Sequence, residues 1–247
     1  MALQEEFEQQ GNWLFRYRGI LPLIILGIGI VIYALTKVYP RRFFLEETPY
    51  EHYYEIACLL VGFLGLTIRI YTIGYAPKNT SGRRVKSLNA DVLNTTGIYS
   101  LVRHPLYVGN FVMWLSPTLL TANFWFIIAF CLFYWVYYER IMFAEEQFLR
   151  RKYGDTYLNW ANNVPAFIPN FKNFVKPSIA FNWNKVLQKE RNGLAALFII
   201  FLTFNLLGVW IQDNNDYNYV IIWGCIISCI SFVILKILEK QTNILDY

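Results

Sequence analysis

"LYVGNFVMWLSPTLLTANFWFIIAFCLFYWVYY", residues 106–138, contains two apolar runs that meet at the turn-like sequence Thr-Ala-Asn. A helix needs roughly 20 predominantly apolar residues to cross the hydrocarbon core of a bilayer. The runs at 106–122 and 123–143 come close to that length. Because the break between them is so short, they predict a tight antiparallel hairpin of two membrane spans.

The same apolar pattern recurs along the chain, at 20–38, 54–75, 193–211 and 218–236. The composition agrees, with 56% hydrophobic and 16% charged residues and a mean hydropathy of +0.32. Soluble domains average about 25% charged residues. The sequence therefore predicts an all-α polytopic membrane protein with about six transmembrane helices. We expect a core over 1–175, with four spans and the motif segments, and a linker with two further spans over 176–247.

The basic residues predict how the chain is oriented in the membrane. They concentrate in segments 76–105 and 144–192, whereas the loop at 212–218 carries none. Cytoplasmic loops are enriched in Lys and Arg, so both basic segments are expected in the cytoplasm. Arg41 and Arg42, in a loop expected outside, run against this rule but are accompanied by glutamates. Without a recognisable DNA- or RNA-binding module, no nucleic-acid partner is expected.

The remaining global features exclude some classes of protein. The N-terminus, "MALQEEFEQQ", is acidic where a secretory signal is basic, so the first span is expected to be retained. All four cysteines fall inside apolar runs without the spacing of metal ligands, so neither a metal site nor disulfides are expected.

Charged residues that could support chemistry lie at the start of the third span, in "GIYSLVRHPLYVGN", residues 97–110. Pro105 is suited to the first turn of a helix, where the unpaired backbone N–H groups attract anions. Arg103 and His104 directly precede it, which makes an anion-binding arrangement. Ordinary helix capping, or long side chains that reach the lipid headgroups, would give the same sequence pattern.

A second charged segment, "YYERIMFAEEQFLRRKYGDTYLNW" at 137–160, has helical spacing and continues out of the fourth span. Gly154 is the expected end of this helix, and the prolines of "VPAFIPNF" predict an extended tail. The adjacent Glu145 and Glu146 could bind a cationic ligand group, although a solvated acidic helix face would look the same.

Together, "LNTTGIYSLVRHPLYVGN", "AEEQFLRRKYGDTYLNW" and "VPAFIPN" resemble the isoprenylcysteine carboxyl methyltransferase-like family of integral membrane methyltransferases, over about residues 88–170. The resemblance implies an enzyme whose cofactor is S-adenosyl-L-methionine. In that family the Tyr of G-x-Y, the His-Pro-x-Tyr group and the loop upstream hold the cofactor, and a glutamate of the acidic pair binds its charged end. Carried over, these residues are Asp91, Val92, Leu93, Asn94, Tyr99, His104, Pro105, Tyr107, and Glu145 or Glu146.

The chemistry of these residues suits that cofactor, which has an amino acid head group and a sulfonium cation. Arg103 and His104 could bind the carboxylate of the head group through charge-assisted hydrogen bonds. A glutamate suits the ammonium group, and the rings of Tyr99 and Tyr107 suit the adenine or the sulfonium.

The residues that would contact the methyl acceptor are less well specified. The family often places a substrate-contacting arginine shortly before the acidic pair, which makes Arg140 the candidate, with Glu139 and Ile141 as competing alignments. Arg140 and Glu139 are the candidate catalytic residues. The arginines that could bind an acceptor phosphate are Arg69, Arg83, Arg84 and Arg140.

The acceptor itself is expected to be a membrane lipid or a lipid-linked molecule. An anionic oxygen needs no general base, and the chain has two histidines, of which His104 is assigned to the cofactor. The segments "TSGR", "ADVLNTTG" and "YYERIMFAEE" look like the lipid A phosphate methyltransferase branch of the family. That resemblance implies O-methylation of a lipid A phosphate at the bacterial inner membrane, with the active site facing the cytoplasm.

Four other functions remain open from the sequence. Within the same class, the acceptor could be an isoprenylcysteine carboxylate or the nitrogen of phosphatidylethanolamine. Outside it, an NADPH-dependent membrane reductase would oxidise nicotinamide and incorporate no methyl label. A non-enzymatic membrane transporter would place polar groups near the bilayer midplane and could carry an inverted repeat.

Overall fold

The computed structural model describes residues 2–39, 50–77, 92–242 and 245, and all of its regular structure is helical. The helices are α1 (Leu3–Tyr17), α2 (Leu21–Val38), α3 (Glu51–Gly74), α4 (Pro105–Leu120), α5 (Phe124–Tyr153), α6 (Asp155–Ala161), α7 (Trp183–Gln212) and α8 (Tyr219–Gln241). Two 3₁₀ turns, Ile98–Ser100 and Phe171–Asn173, lie in the connecting segments. The predicted all-α class is confirmed.

Within the described residues, five helices are long and apolar enough to cross a membrane, namely α2, α3, α5, α7 and α8. They support an integral membrane protein, as predicted. The run at 106–122, predicted as a further span, forms α4, which has 16 residues. Helix α4 is therefore shorter than the roughly 20 residues that a perpendicular span needs.

The predicted hairpin between the two runs is confirmed. Helix α4 ends at Leu120, α5 begins at Phe124, and the Asn123 side chain caps α5 by accepting a hydrogen bond from the N–H of Phe126. Helix α5 has 30 residues, which at 1.5 Å each give about 45 Å. It therefore extends well past the start of α4, and it ends at Gly154, whose φ of 54° favours glycine.

Helix α1 was not predicted, because it is amphipathic and lacks an apolar run. It packs along α5, where Gly11 lies against the backbone carbonyl of Arg140. A Cβ atom added at Gly11 would lie 2.8 Å from Cβ of Ala144. The Tyr137 hydroxyl donates to the Leu14 carbonyl at 2.9 Å. The N-terminal segment thus forms part of the helical assembly around α5.

The stretch 177–192, expected to be a polar linker, is helical from Trp183 onward. Three of its charged side chains have partners inside the protein, namely Lys185, Glu190 and Arg191. Asn182 caps α7 by accepting from the Lys185 N–H, and Lys185 Nζ donates to the carbonyls of Ala76 and Pro77 just past the end of α3. Helix α7 therefore packs directly on the core helices.

The centre of the assembly is the close contact between α3 and α4. Gly65 and Gly109 face each other there, and a Cβ at Gly65 would lie 2.5 Å from the backbone nitrogen of Met113. Small residues allow helix backbones in a membrane to approach closely. This contact fixes the position of α4, whose first turn carries the candidate site.

The two ends of the assembly differ in character. We call the end at which α4 begins and α5 ends the motif end. At the opposite end, Glu55 accepts hydrogen bonds from the side-chain amides of Asn205 and Asn218, which ties α3, α7 and the start of α8 together. The motif end holds the sequence motifs.

Candidate active site

The first motif is held in place by the extended tail that was predicted after α6. The backbone N–H groups of Arg103 and His104 donate to carbonyls in segment 164–171 at 2.9 and 3.2 Å. His104 then occupies the N-cap position of α4, without a capping hydrogen bond from its side chain, and Pro105 begins the helix, as the sequence pattern predicts. The tail thus fixes the entry of the chain into α4.

Glu146 is the centre of a cluster of hydrogen bonds at the motif end. Its Oε1 accepts from Arg103 Nε and lies 2.9 Å from Nε2 of His104, and its Oε2 lies 3.3 Å from a second Arg103 nitrogen. The remaining terminal nitrogen of Arg103 donates to the carbonyls of Ala161 and Val164 at 2.6 and 3.0 Å. Four of the five guanidinium N–H donors are thereby used within the protein.

Arg103 therefore acts here as a tie between α5 and the segment after α6. The expectation that it binds a cofactor carboxylate stays a prediction, with one N–H donor left for a ligand.

His104 lies between the two carboxylates and is 7% exposed. Its Nδ1 is 3.5 Å from Glu145, while its Nε2 contacts Glu146. Burial alone would lower the pKa of His104, but hydrogen bonds and charge from the two carboxylates raise it above its ordinary value. The two carboxylates thus favour the imidazolium form of the ring.

Glu145 has fewer protein partners than Glu146 within the described ranges. Its Oε1 accepts a hydrogen bond from the Tyr107 hydroxyl at 2.6 Å. Burial and the charge of Glu145 raise the pKa of Tyr99. Glu145 consequently keeps lone pairs for a cationic ligand.

Tyr157 belongs to this cluster and was not assigned a role from the sequence. It is 3% exposed, and burial and the nearby Glu146 raise the pKa of its hydroxyl. Among the residues that the structure describes, that hydroxyl makes no hydrogen bond of good geometry. The signal that could have found it is its place in "GDTYLNW", where α6 turns back toward α5.

Aromatic rings form the wall of the site on the side of the membrane spans. The His104 ring stacks on Tyr107 at 5.7 Å, and Tyr138 packs on Tyr107 at 4.8 Å. The hydroxyl of Tyr134 donates to the Tyr107 carbonyl at 2.9 Å. Behind this wall a small apolar pocket is lined by Leu21, Pro22, Ile25, Trp114, Phe130, Phe133, Tyr134, Tyr137 and Tyr138.

Arg140 and Glu139 are not part of the carboxylate cluster. Arg140 lies 3.4 Å over the ring of Phe7 in α1 and contacts Glu139 at 3.3 Å. Five residues advance a helix by 500°, so Glu145 points about 140° away from Arg140 around α5. Their proposed catalytic roles remain predictions.

The other expected ligand-binding residues are spread more widely. Arg69 pairs with Glu190 and Asn110 between α3, α7 and α4. In the upstream loop, the Asn94 side chain lies 3.5 Å from the Tyr75 carbonyl, Leu93 is half-buried and Val92 is 53% exposed. Three expected residues fall outside the described ranges: Asp91, Arg83 and Arg84.

The residues that the structure does bring together fit S-adenosylmethionine. Glu145 offers a carboxylate to an ammonium group, the Tyr157 hydroxyl is buried and available for a hydrogen bond, and the rings of Tyr99 and Tyr107 can pack on a cation. Within the described residues, no group of three or more His, Cys, Asp or Glu side chains could hold a metal ion.

Comparison with known proteins agrees with this chemistry. Residues 52–156 match the phospholipid methyltransferase family. The chain is 33% identical to protein-S-isoprenylcysteine O-methyltransferase of Schizosaccharomyces pombe, over 47% of this chain and 50% of that protein. It is 30% identical to the Saccharomyces cerevisiae enzyme of that name, over 46% and 48%.

A third relative has a different name. The nickel-cobalt-cadmium resistance protein NccN of Alcaligenes xylosoxydans xylosoxydans is 31% identical over 48% of this chain and 53% of that protein. The chain thus spans about half the length of these curated relatives. No solved structure matches it.

The resemblance to membrane methyltransferases of the isoprenylcysteine type, predicted from the motifs, is confirmed by these comparisons. They support the isoprenylcysteine branch better than the lipid A phosphate branch that the sequence favoured. The matched stretch runs from α3 through the start of α6 and so contains the carboxylate cluster.

Proposed function

We propose that the chain is an S-adenosylmethionine-dependent methyltransferase that methylates an anionic oxygen of a membrane lipid or lipidated molecule. When bound, the cofactor supplies a methyl carbon activated by its sulfonium. The observation that carries the proposal is the cluster of Glu145, Tyr107 and His104 at the motif end, inside the stretch that matches phospholipid methyltransferases.

Each residue of the cluster has a separate task in this proposal. Glu145 binds the ammonium of the cofactor, and Tyr107 orients Glu145 through its 2.6 Å hydrogen bond. His104 lies between the two adjacent carboxylates and contacts both, which offsets their mutual repulsion. Tyr99 and Tyr107 supply aromatic faces to the cationic part of the ligand. Arg103 holds the cluster to the tail after α6.

In this proposal, the methyl acceptor reaches the site from the membrane side. The aromatic wall of Tyr107, Tyr134 and Tyr138 separates the carboxylates from the bilayer-spanning part of the helices and excludes water from the reacting groups. Alignment in a dry site can supply about 7–11 kcal/mol of the barrier reduction. An ionised carboxylate or phosphate is already nucleophilic at neutral pH, so no further base is needed.

Two acceptors have specific support. The named relatives favour the carboxylate of a prenylated cysteine. The segments "TSGR" and "ADVLNTTG" favour a lipid A phosphate, with the site facing the cytoplasm of a bacterial inner membrane. Both acceptors offer an anionic oxygen on a lipid anchor, and we propose the prenylated cysteine first.

The experiment is methyl transfer by the purified chain in phospholipid vesicles, with methyl-labelled S-adenosylmethionine. Separate reactions contain a farnesylated cysteine, lipid A, or phosphatidylethanolamine as acceptor. We expect label in the organic phase with farnesylated cysteine, in a base-labile ester. Label on lipid A would establish the phosphate acceptor instead, and label on phosphatidylethanolamine would contradict an oxygen acceptor.

Two results would contradict the proposed methyltransferase activity. One is the absence of label with all three acceptors although the chain is folded. The other is oxidation of NADPH by the same preparation, which would indicate a membrane reductase.

A further inference from the structure

Glu190 and Arg69 form a bidentate ion pair in the interior of the helical assembly. Arg69 Nε donates to one Glu190 oxygen at 2.8 Å and a terminal guanidinium nitrogen donates to the other at 2.6 Å. Glu190 is 4% exposed. It belongs to α7, outside the stretch that matches the phospholipid methyltransferase family.

The remaining terminal nitrogen of Arg69 reaches α4, where it donates to the side-chain oxygen of Asn110. Tyr138 packs on Tyr107 at 4.8 Å, and Asn110 lies one helical turn after Tyr107. The contacts from Glu190 through Arg69 to Asn110 therefore end one turn of α4 from Tyr107, the residue that orients Glu145.

The side chain of Arg69 is packed tightly against the backbone of α4. A Cβ at Gly109 would lie 2.6 Å from Cγ of Arg69, so the arginine crosses α4 directly over a glycine. The loss of one partner from such an ion pair leaves the other charge uncompensated, which is strongly destabilising when the pair is buried. Of the two side chains that Arg69 contacts, Asn110 would remain, so we expect the loss of Glu190 to change its position.

We propose that Glu190 is a positioning residue for the methyl donor site, acting through Arg69 and Asn110 on Tyr107 and Glu145. Helix α7 thereby completes a site whose ligand-binding residues all lie on other elements. The assignment of the donor to Glu145 rests on the proposed function, whereas the positioning of α4 by Glu190 does not depend on it.

The test uses the full chain in detergent and compares E190Q and N110A with the control E239Q. Glu239 of α8 pairs with Arg191, the residue after Glu190, so E239Q removes the same kind of charge from the adjacent ion pair of α7. N110A leaves the Arg69–Glu190 pair intact, so it keeps the test valid if E190Q fails to fold.

Two properties are measured at a temperature at which every variant tested is folded. The first is the affinity for S-adenosylhomocysteine, by calorimetry. The second is amide hydrogen exchange over residues 104–112 in the ligand-free chain, which requires no methyltransferase activity. Both properties report on the first turns of α4.

We expect E190Q and N110A each to weaken binding about tenfold, since a displacement of 1 Å can cost on the order of 100-fold. Exchange over 104–112 should become faster in both variants and stay unchanged in E239Q. Unchanged exchange in E190Q and N110A, or equal effects of E190Q and E239Q, would overturn the positioning role. Failure of the wild type to bind the ligand, with exchange altered as expected, would refute the proposed function and leave the positioning role standing.

Discussion

At the scale of single residues, the two adjacent glutamates have different surroundings and therefore different expected roles. Glu146 is bound by Arg103 and His104, whereas Glu145 contacts Tyr107 and leaves acceptor sites for a ligand. The sequence could indicate that one glutamate of the pair binds the cofactor. It could not indicate which, because Arg103 and Glu146 are 43 residues apart and meet only in the folded chain.

Replacement of Glu146 by Gln should destabilise the chain more than the same change at Glu145. It removes the anionic partner of both Arg103 and His104, and an underpaired buried charged group costs about 1–3 kcal/mol. Thermal unfolding in detergent measures the difference. Equal midpoints for E146Q and E145Q would contradict the structural role of Glu146.

The pH dependence of stability should report on His104. Because the carboxylates raise the pKa of His104 in the folded chain, its contribution to the free energy of unfolding is complete below the unfolded pKa of about 6.5. That contribution is lost as pH rises through the higher folded pKa.

The measurement is the unfolding midpoint of the wild type and of His104→Gln across that pH window. The difference between the two unfolding midpoints should narrow as pH increases. A gap that stays constant, or that widens with pH, would mean that His104 is not held as an imidazolium.

At the scale of elements, the contact between α5 and helix α1, which was not predicted, depends on a glycine. Gly11 lies against the Arg140 carbonyl of α5, and the added Cβ of an alanine would meet that backbone oxygen. Gly27 in α2 has nothing within 4 Å of the same position and serves as the matched control.

Gly11→Ala should therefore loosen α1 from α5, at a cost of about 1–3 kcal/mol for overpacking. Gly27→Ala should be neutral or slightly stabilising, since alanine is the better helix former. Limited proteolysis of the N-terminal segment measures the release of α1. Equal cleavage of the two variants would contradict the packing of α1 on α5.

At the scale of the whole molecule, the membrane spans were predictable and the packing of the ends was not. Apolar runs mark α2, α3, α5 and α8 closely because lipid contact requires apolar side chains along their length. The first turns of α7 were missed since Lys185 and Glu190 look solvated in the sequence. In the structure these charges pair with α3.

The candidate site was predictable to the extent that its residues belong to recognisable motifs. His104, Tyr107 and the acidic pair were found this way and lie together in the structure. Arg140 and Arg69 were chosen by charge and position along the chain, and both have partners elsewhere, on α1 and α7. Charge alone does not indicate which partner a side chain meets after folding.

The most direct measurement is the binding of S-adenosylhomocysteine to the purified chain by calorimetry, compared with Glu145→Gln. Wild type should bind, and E145Q should weaken binding at least tenfold, or about 1.4 kcal/mol, while its unfolding midpoint stays close to wild type. Absence of binding to the folded wild type, or equal affinity of E145Q, would contradict a methyl donor site at the carboxylate cluster.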